Sequence, residues 1–153
     1  MQTITDKTKE ALEDLIIINN DRYEGYQKAM EQTKDSDLKA LFSTYSTQSK
    51  GYASALRTHF PAGEEQPARD ETRISGKFYR AWMDVKNALT SDDRQAVLNS
   101  CEYGEDVAKK AYENVLEDRE NLSDDVLNQV QDQYDELLDA HNTIKGLRDA
   151  NQN

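Results

Sequence analysis

The sequence predicts an all-α fold, a four-helix bundle in which two antiparallel helix hairpins are joined by a long crossover. Three observations predict it. Apolar residues recur at intervals of three and four along four long stretches, which is the spacing of one helix face. Six glycines and two prolines are too few for a fold with many turns. Both prolines fall in residues 61–74, so the crossover is expected there, within a single domain over residues 1–153.

The composition argues against several classes of function. The formal net charge is −11, and an acidic surface repels nucleic acids and anionic membranes. The single cysteine cannot form an intramolecular disulfide, and two histidines are too few for a site with three imidazole ligands. The sequence shows no signal peptide and no apolar run long enough to cross a bilayer. We therefore expect a cytoplasmic protein that binds neither nucleic acid nor membrane.

The first hairpin is predicted from two long helices with a tight turn between them. Thr5 or Asp6 can cap a helix that extends to about Lys34, and a second helix runs from about Ser36 to His59. Such a short connection makes the two helices antiparallel. The residues expected on the inward faces are Leu12, Leu15, Ile16, Asn19, Tyr23, Tyr26 and Met30, then Leu38, Leu41, Phe42, Tyr45, Gln48, Tyr52, Ala55 and Leu56.

The predicted crossover spans residues 60–91 and carries a short fifth helix. Its first part, the fourteen residues 61–74, reaches roughly 46 Å when extended, which is enough to run the length of the bundle. The short helix follows at about 75–90. Its apolar side chains, expected to pack on the flank or end of the bundle, are Phe78, Trp82, Val85 and Leu89.

The second hairpin is predicted from a third helix over Asp92 to about Asp118 and a fourth over Asp124 to about Asp149. The acidic residues at both helix starts suit the positive end of the helix dipole. The inward faces are expected to contain Val97, Cys101, Glu105, Ala108, Tyr112 and Val115, then Val126, Leu127, Val130, Tyr134, Leu137, His141, Ile144 and Leu147. Cys101 is interpreted as a small core residue rather than a nucleophile.

Two chain topologies are compatible with these helices. A crossover that runs the length of the bundle makes the second and third helices parallel, which is the ferritin-like arrangement. An up-down-up-down bundle would leave residues 60–91 as an excursion with no role. We favour the crossover, because an excursion of that kind would not need an amphipathic helix.

Several stretches resemble a known family. The Trp-Met-Asp and Cys-Glu-x-Gly-Glu-Asp segments are the most specific of them. The stretches are Asn19 to Tyr26, Asp37 to Phe42, Gly76-Lys77, Arg80 to Lys86, Cys101 to Asp106, His141 and Leu147 to Asp149. On these residues the chain resembles a family of uncharacterised bacterial ferritin-like four-helix-bundle proteins, a domain of unknown function. The resemblance implies the ferritin-like fold and no established activity.

A conventional di-iron centre is not supported by the sequence. Such centres take one Glu from each of two helices and a Glu-x-x-His motif from each of the others. The second helix has Gln48-Ser49-Lys50-Gly51 where that motif is needed, and Leu138 stands three residues before His141. A weaker single metal site could use Glu24, Gln48, Glu105 and His141. The favoured interpretation is instead a buried, hydrogen-bonded layer formed by these residues with Asn19, Tyr23, Tyr45, Tyr52 and Tyr134.

The predicted function is a non-enzymatic structural, interaction or stress-related role without a di-iron centre and without a cofactor. The alternative is a degenerate Fe, Mn or Zn protein that uses Glu24, Gln48, Glu105 and His141 as weak ligands for a divalent ion. A monomer and a homodimer are both compatible with the sequence. It identifies no catalytic residue, ligand or protein partner.

Overall fold

The structure, a computed structural model, describes residues 6–60 and 93–151. In this part of the chain it contains four long helices, so the all-α bundle is confirmed. The helices are α1 (Asp6–Gln32), α2 (Ser36–Arg57), α3 (Arg94–Glu117) and α4 (Asp124–Asn151), with a short 3₁₀ helix at Arg119–Asn121. Their ends lie within two residues of the predicted ends. The predicted crossover over 60–91, its short helix and the packing of Phe78 and Trp82 lie outside the described residues.

The start of α3 shows why the helix begins later than expected. The Asp93 carboxylate accepts a hydrogen bond from the backbone N–H of Ala96 at 3.1 Å, so Asp93 is the N-cap and Arg94 the first helical residue. The start of α2 differs, because the side chain of its N-cap residue Asp35 makes no capping hydrogen bond to the helix. Instead Asp35 and Asp37 accept hydrogen bonds from Arg94 at 2.9 Å each, which joins the first turn to the start of α3.

Contacts between distant residues establish the directions of the helices. Thr8 of α1 donates to the carbonyl of Asn121, which follows the end of α3, and Arg22 of α1 pairs with Glu105 in the middle of α3. Residue numbers rise on one helix as they fall on the other, so α1 and α3 are antiparallel. The short connection already makes α1 antiparallel to α2, so α2 and α3 run parallel. The up-down-up-down alternative requires α1 and α3 to be parallel and is therefore excluded.

The fourth helix completes the bundle against α2 as well as α3. Tyr52 donates from its hydroxyl to Glu136 at 2.7 Å, and a ring nitrogen of His59 lies 2.7 Å from Oε1 of Gln129. These pairs again run in opposite directions, so α2 and α4 are antiparallel. The end of α2 thus lies near the start of α4, whereas α3 begins beside Asp37 at the other end of the bundle.

The core is a continuous set of apolar side chains from all four helices. In α1 the burial goes beyond one stripe, since all eight residues from 15 to 22 are buried. Cys101 is buried, as predicted. The fully buried apolar side chains include Leu12, Leu15, Ile16, Tyr26, Phe42, Leu56, Leu98, Tyr112, Val130, Leu137 and Ile144. Within residues 6–60 and 93–151, no helix has the length and apolar character needed to cross a membrane.

Candidate functional site

A layer of polar side chains crosses the centre of this apolar core. Every helix contributes to it, and every member is at least 95% buried. We call it the polar layer. Its members are Asn19 and Arg22 from α1, Ser49 from α2, Glu105 and Tyr112 from α3, and Gln133 from α4. Buried polar groups are costly unless they are hydrogen-bonded, so the contacts of each member matter.

The charged pair of the layer is Arg22 and Glu105. Both side chains have no solvent exposure. The guanidinium donates from Nε to Oε1 of Glu105 at 2.5 Å and from Nη2 to Oε2 at 3.2 Å. This two-bond geometry is the strong form of the Arg–carboxylate interaction. Both carboxylate oxygens of Glu105 are therefore engaged by one cation from the same chain.

The rest of the guanidinium group is also enclosed. Nη1 donates to the hydroxyl of Ser49 at 2.8 Å and to the backbone carbonyl of Tyr45 at 3.4 Å. The ring centroids of Tyr26 and Tyr45 lie 5.2 and 5.5 Å from its central carbon, within the range of a cation–π interaction. Burial alone would lower the pKa of Arg22, but the charge and hydrogen bonds of Glu105, together with the interactions with Tyr26 and Tyr52, more than offset this, so the pKa is raised.

A chain of neutral hydrogen bonds continues from this pair to α4. Ser49 donates to Oδ1 of Asn19 at 2.9 Å, and Nδ2 of Asn19 donates to the hydroxyl of Tyr112 at 2.8 Å. The Tyr112 hydroxyl donates to Oε1 of Gln133 at 2.7 Å. Nε2 of Gln133 donates to the backbone carbonyl of Tyr52 at 3.4 Å. The network therefore connects all four helices, and such networks select one helix register over others.

The Tyr112 hydroxyl is the link between Asn19 on α1 and Gln133 on α4. We expect Tyr112→Phe to lower the free energy of unfolding by about 1–3 kcal/mol, because Asn19 loses an acceptor and Gln133 a donor in a dry environment. Tyr134→Phe is the matched control. Its hydroxyl donates to Glu113 at a part-buried position, so water can replace the bond and the loss should stay below about 1 kcal/mol. Urea unfolding of both variants measures the difference. Equal losses of unfolding free energy would contradict the role of the Tyr112 hydroxyl as a buried link of the polar layer.

Several phenol and thiol groups of the bundle have raised pKa values, which matters for its stability at alkaline pH. Burial raises the pKa of Tyr112 and of Cys101, and burial followed by the Glu136 carboxylate raises that of Tyr52. Burial, followed by the Glu113 carboxylate, raises the pKa of Tyr134 to about 12. These groups therefore retain their protons in the folded state at pH values where the same groups in the unfolded chain are ionised.

The stability of the protein is expected to fall as the pH rises above about 9. At lower pH, thiols and phenols with ordinary pKa values of about 8.5 and 10 are protonated in both states, so they do not affect the slope. At higher pH the unfolded chain releases protons that the folded chain retains, and the free energy of unfolding decreases. Urea unfolding across this range, with phenolate absorbance recorded in parallel, measures the effect. A constant free energy of unfolding would contradict it.

The four residues predicted as weak metal ligands occupy different environments. Glu105 belongs to the polar layer, and His141 is buried between α4 and α3. Glu24 and Gln48 are half-buried, and Oε1 of Gln48 accepts no hydrogen bond from any residue that the structure describes. Among the side chains of residues 6–60 and 93–151, no three His, Cys, Asp or Glu residues are grouped so that they could hold a metal ion. The structure therefore does not bring Glu24, Glu105 and His141 together.

His141 faces two carboxylates of α3 instead. Its Nε2 lies 3.5 Å from Oδ1 of Asp106 and 3.8 Å from Oε1 of Glu102, and neither ring nitrogen makes a hydrogen bond within residues 6–60 and 93–151. Each carboxylate also has a cationic neighbour, because Arg148 lies 3.2 Å from Glu102 and Lys110 lies 3.3 Å from Asp106. These charges lie toward the surface of the bundle, apart from the Arg22–Glu105 pair.

Sequence reasoning placed Asn19, Glu105 and Tyr112 on inward faces but missed Arg22, Ser49 and Gln133. Tyr23, Gln48 and Tyr134 were expected at those places, and all three are half-buried. Arg22 is three residues after Asn19 and four before Tyr26, so its spacing suits the same face. Of the other tyrosines expected in the layer, Tyr45 and Tyr52 border it, and Tyr134 bonds to Glu113 outside it.

Comparison with known proteins identifies a family for this arrangement. No curated protein matches the chain. One family model does, and it spans residues 7–118, which include α1, α2 and α3 and five of the six members of the polar layer. The chain therefore belongs to the family described as domain of unknown function DUF2383.

Proposed function

We propose that the protein is a non-catalytic four-helix bundle of the ferritin-like type, with a structural or interaction role. One observation supports this above all others. Glu105 is the carboxylate at the centre of the bundle, and both of its oxygens are bonded to Arg22. A carboxylate in this state already has its counter-ion, which is supplied by α1 of the same chain.

The residues present do not fit a di-iron centre. Such a centre needs carboxylates from all four helices and an imidazole from each of two of them. At the level of Glu105, α2 presents Ser49, and α1 presents a guanidinium where a ligand would be needed. The only histidine of α4 faces Glu102 and Asp106 rather than Glu105. The polar layer therefore has the composition of a hydrogen-bonded core element.

Elemental analysis of untagged protein, produced with added iron and manganese, tests the proposal. We expect well below one metal ion per chain, because the central carboxylate is neutralised by Arg22. The melting temperature should be unchanged by a chelator, since folding then receives no free energy from metal binding. One Fe or Mn per chain, together with a lower melting temperature in chelator, would contradict the proposal.

The alternative function is that of a degenerate metal-binding protein that uses Glu24, Gln48, Glu105 and His141, and it requires Glu24, Glu105 and His141 to lie closer together than the structure places them. The observation that favours it is His141, whose ring nitrogens are buried and make no hydrogen bond to the described part of the chain. If this alternative is correct, bound Fe, Mn or Zn is lost in His141→Gln. The matched control is His59→Gln, because His59 contacts Gln129 at the end of the bundle and should leave the metal content unchanged. Equal metal content in both variants would contradict the alternative.

A further inference from the structure

The contacts of Arg22 converge on its guanidinium group rather than on its aliphatic stem. A carboxylate, a hydroxyl and two aromatic faces surround it, and they come from three helices. We infer that the centre of the bundle is a binding site for a planar cation of the guanidinium class, which the native chain fills with Arg22. We call it the cation site, and its residues are Tyr26, Tyr45, Ser49 and Glu105. The inference rests on the proposed function, because it assigns the ligand class of the same site.

The geometry of the cation site suits a guanidinium better than other cations. The two oxygens of Glu105 accept from two different nitrogens, which requires a planar, fork-shaped donor. The rings of Tyr26 and Tyr45 attract a flat, weakly hydrated cation through their faces. A divalent metal ion would need several close oxygen or nitrogen ligands, and aromatic faces supply none. An ammonium ion could not form the paired bonds.

Removing the side chain of Arg22 should leave these groups in place but without their cation. In the native protein Glu105 is fully buried and Ser49 also bonds to Asn19, so we expect both groups to keep their positions in Arg22→Ala. A guanidinium ion from solution can then occupy the space that the arginine head vacates, because every contact it needs is made by other residues. A ligand that binds only the folded state raises the melting temperature in proportion to the logarithm of its concentration.

Thermal unfolding of Arg22→Ala, followed by far-UV circular dichroism, tests the inference. The probes are millimolar guanidinium chloride and methylguanidinium chloride, with sodium chloride at the same ionic strength as reference. The denaturing effect of guanidinium is proportional to its concentration and is small in this range. We expect guanidinium to raise the melting temperature by about 3 °C or more relative to sodium chloride. If Arg22→Ala does not fold by itself, the same measurement records recovery of helical signal on guanidinium addition.

Two controls separate binding at the cation site from a general salt effect. The double variant Arg22→Ala/Glu105→Leu removes the carboxylate, and the wild-type protein keeps its own arginine, so neither should respond to guanidinium. Equal melting temperatures or helical signals of Arg22→Ala in guanidinium and sodium chloride would overturn the inference. An equal rise in the double variant would also overturn it, as would a rise with manganese chloride and none with guanidinium. The proposed function is tested separately, by the metal content of the wild-type protein.

Discussion

Replacing Glu105 by leucine is expected to lower the free energy of unfolding by about 3–5 kcal/mol. Arg22 would then be a fully buried cation without the carboxylate that it pairs with in the native protein. Arg22→Met should cost a similar amount, since it leaves Glu105 as the unpaired charge. Native domains have only about 5–15 kcal/mol of stability in total, so either change removes a large part of it. Urea unfolding monitored by circular dichroism measures both.

The double variant Arg22→Met/Glu105→Leu distinguishes pairing from general intolerance of substitution. With both charges replaced by apolar groups of similar volume, no buried charge remains, and the stability should return to within about 1 kcal/mol of the wild-type value. The coupling between the two positions would then be several kcal/mol. Glu117→Ala, at an exposed position on the same helix, should change stability by about 0.5 kcal/mol or less. If the losses of the two single variants add in the double variant, the Arg22–Glu105 pairing is not the reason that each substitution destabilises the protein.

Phe42→Ala is expected to lower the free energy of unfolding by about 3–5 kcal/mol through lost packing. The Phe42 ring is fully buried, and its centroid lies 5.5 Å from that of Tyr26. The cavity left by alanine would adjoin Tyr26, whose ring also contacts the guanidinium of Arg22. The packing of the cation site therefore depends on this apolar contact as well as on its own hydrogen bonds.

The neighbouring residue supplies the matched control for Phe42. Ser43 is exposed on the same helix, so Ser43→Ala should change stability by about 0.5 kcal/mol or less. Phe42→Leu, which retains most of the apolar volume, should fall between the two. Urea unfolding with an unchanged dependence on denaturant would show that the loss is one of stability alone. A cost for Phe42→Ala as small as that of Ser43→Ala would contradict the central position of this ring.

The helices and their ends could be predicted because their causes are local. Asp93 caps α3 through a bond to Ala96, only three residues along the chain. Likewise, the inward position of Glu105 follows from its helical spacing to Cys101, Ala108 and Tyr112. These positions need only the period of one helix, so they can be read without knowledge of the partner helices.

The composition of the polar layer could be predicted only in part. Arg22 and Tyr23 are neighbours in α1, and the helical spacing allows either of them to face inward. The sequence analysis placed Tyr23 on the inward face. The choice follows an ordinary rule, since an arginine is almost never fully buried unless it is paired. In α2, Gln48 was expected on the inward face, but its neighbour Ser49 lies there. A difference of one residue corresponds to about 100° around the helix.

The sequence by itself determined the helical class, the four long helices and the tight turn of the first hairpin. Only the tertiary structure decided that α1 is antiparallel to α3 and that Arg22 faces the centre. The physical reason is that Arg22 and its partner Glu105 are 83 residues apart in sequence, so the period of a single helix does not show that they meet. A buried charge is stable only with its counter-ion, and that counter-ion lies on another helix. The orientation of Arg22 is thus a property of the assembled bundle.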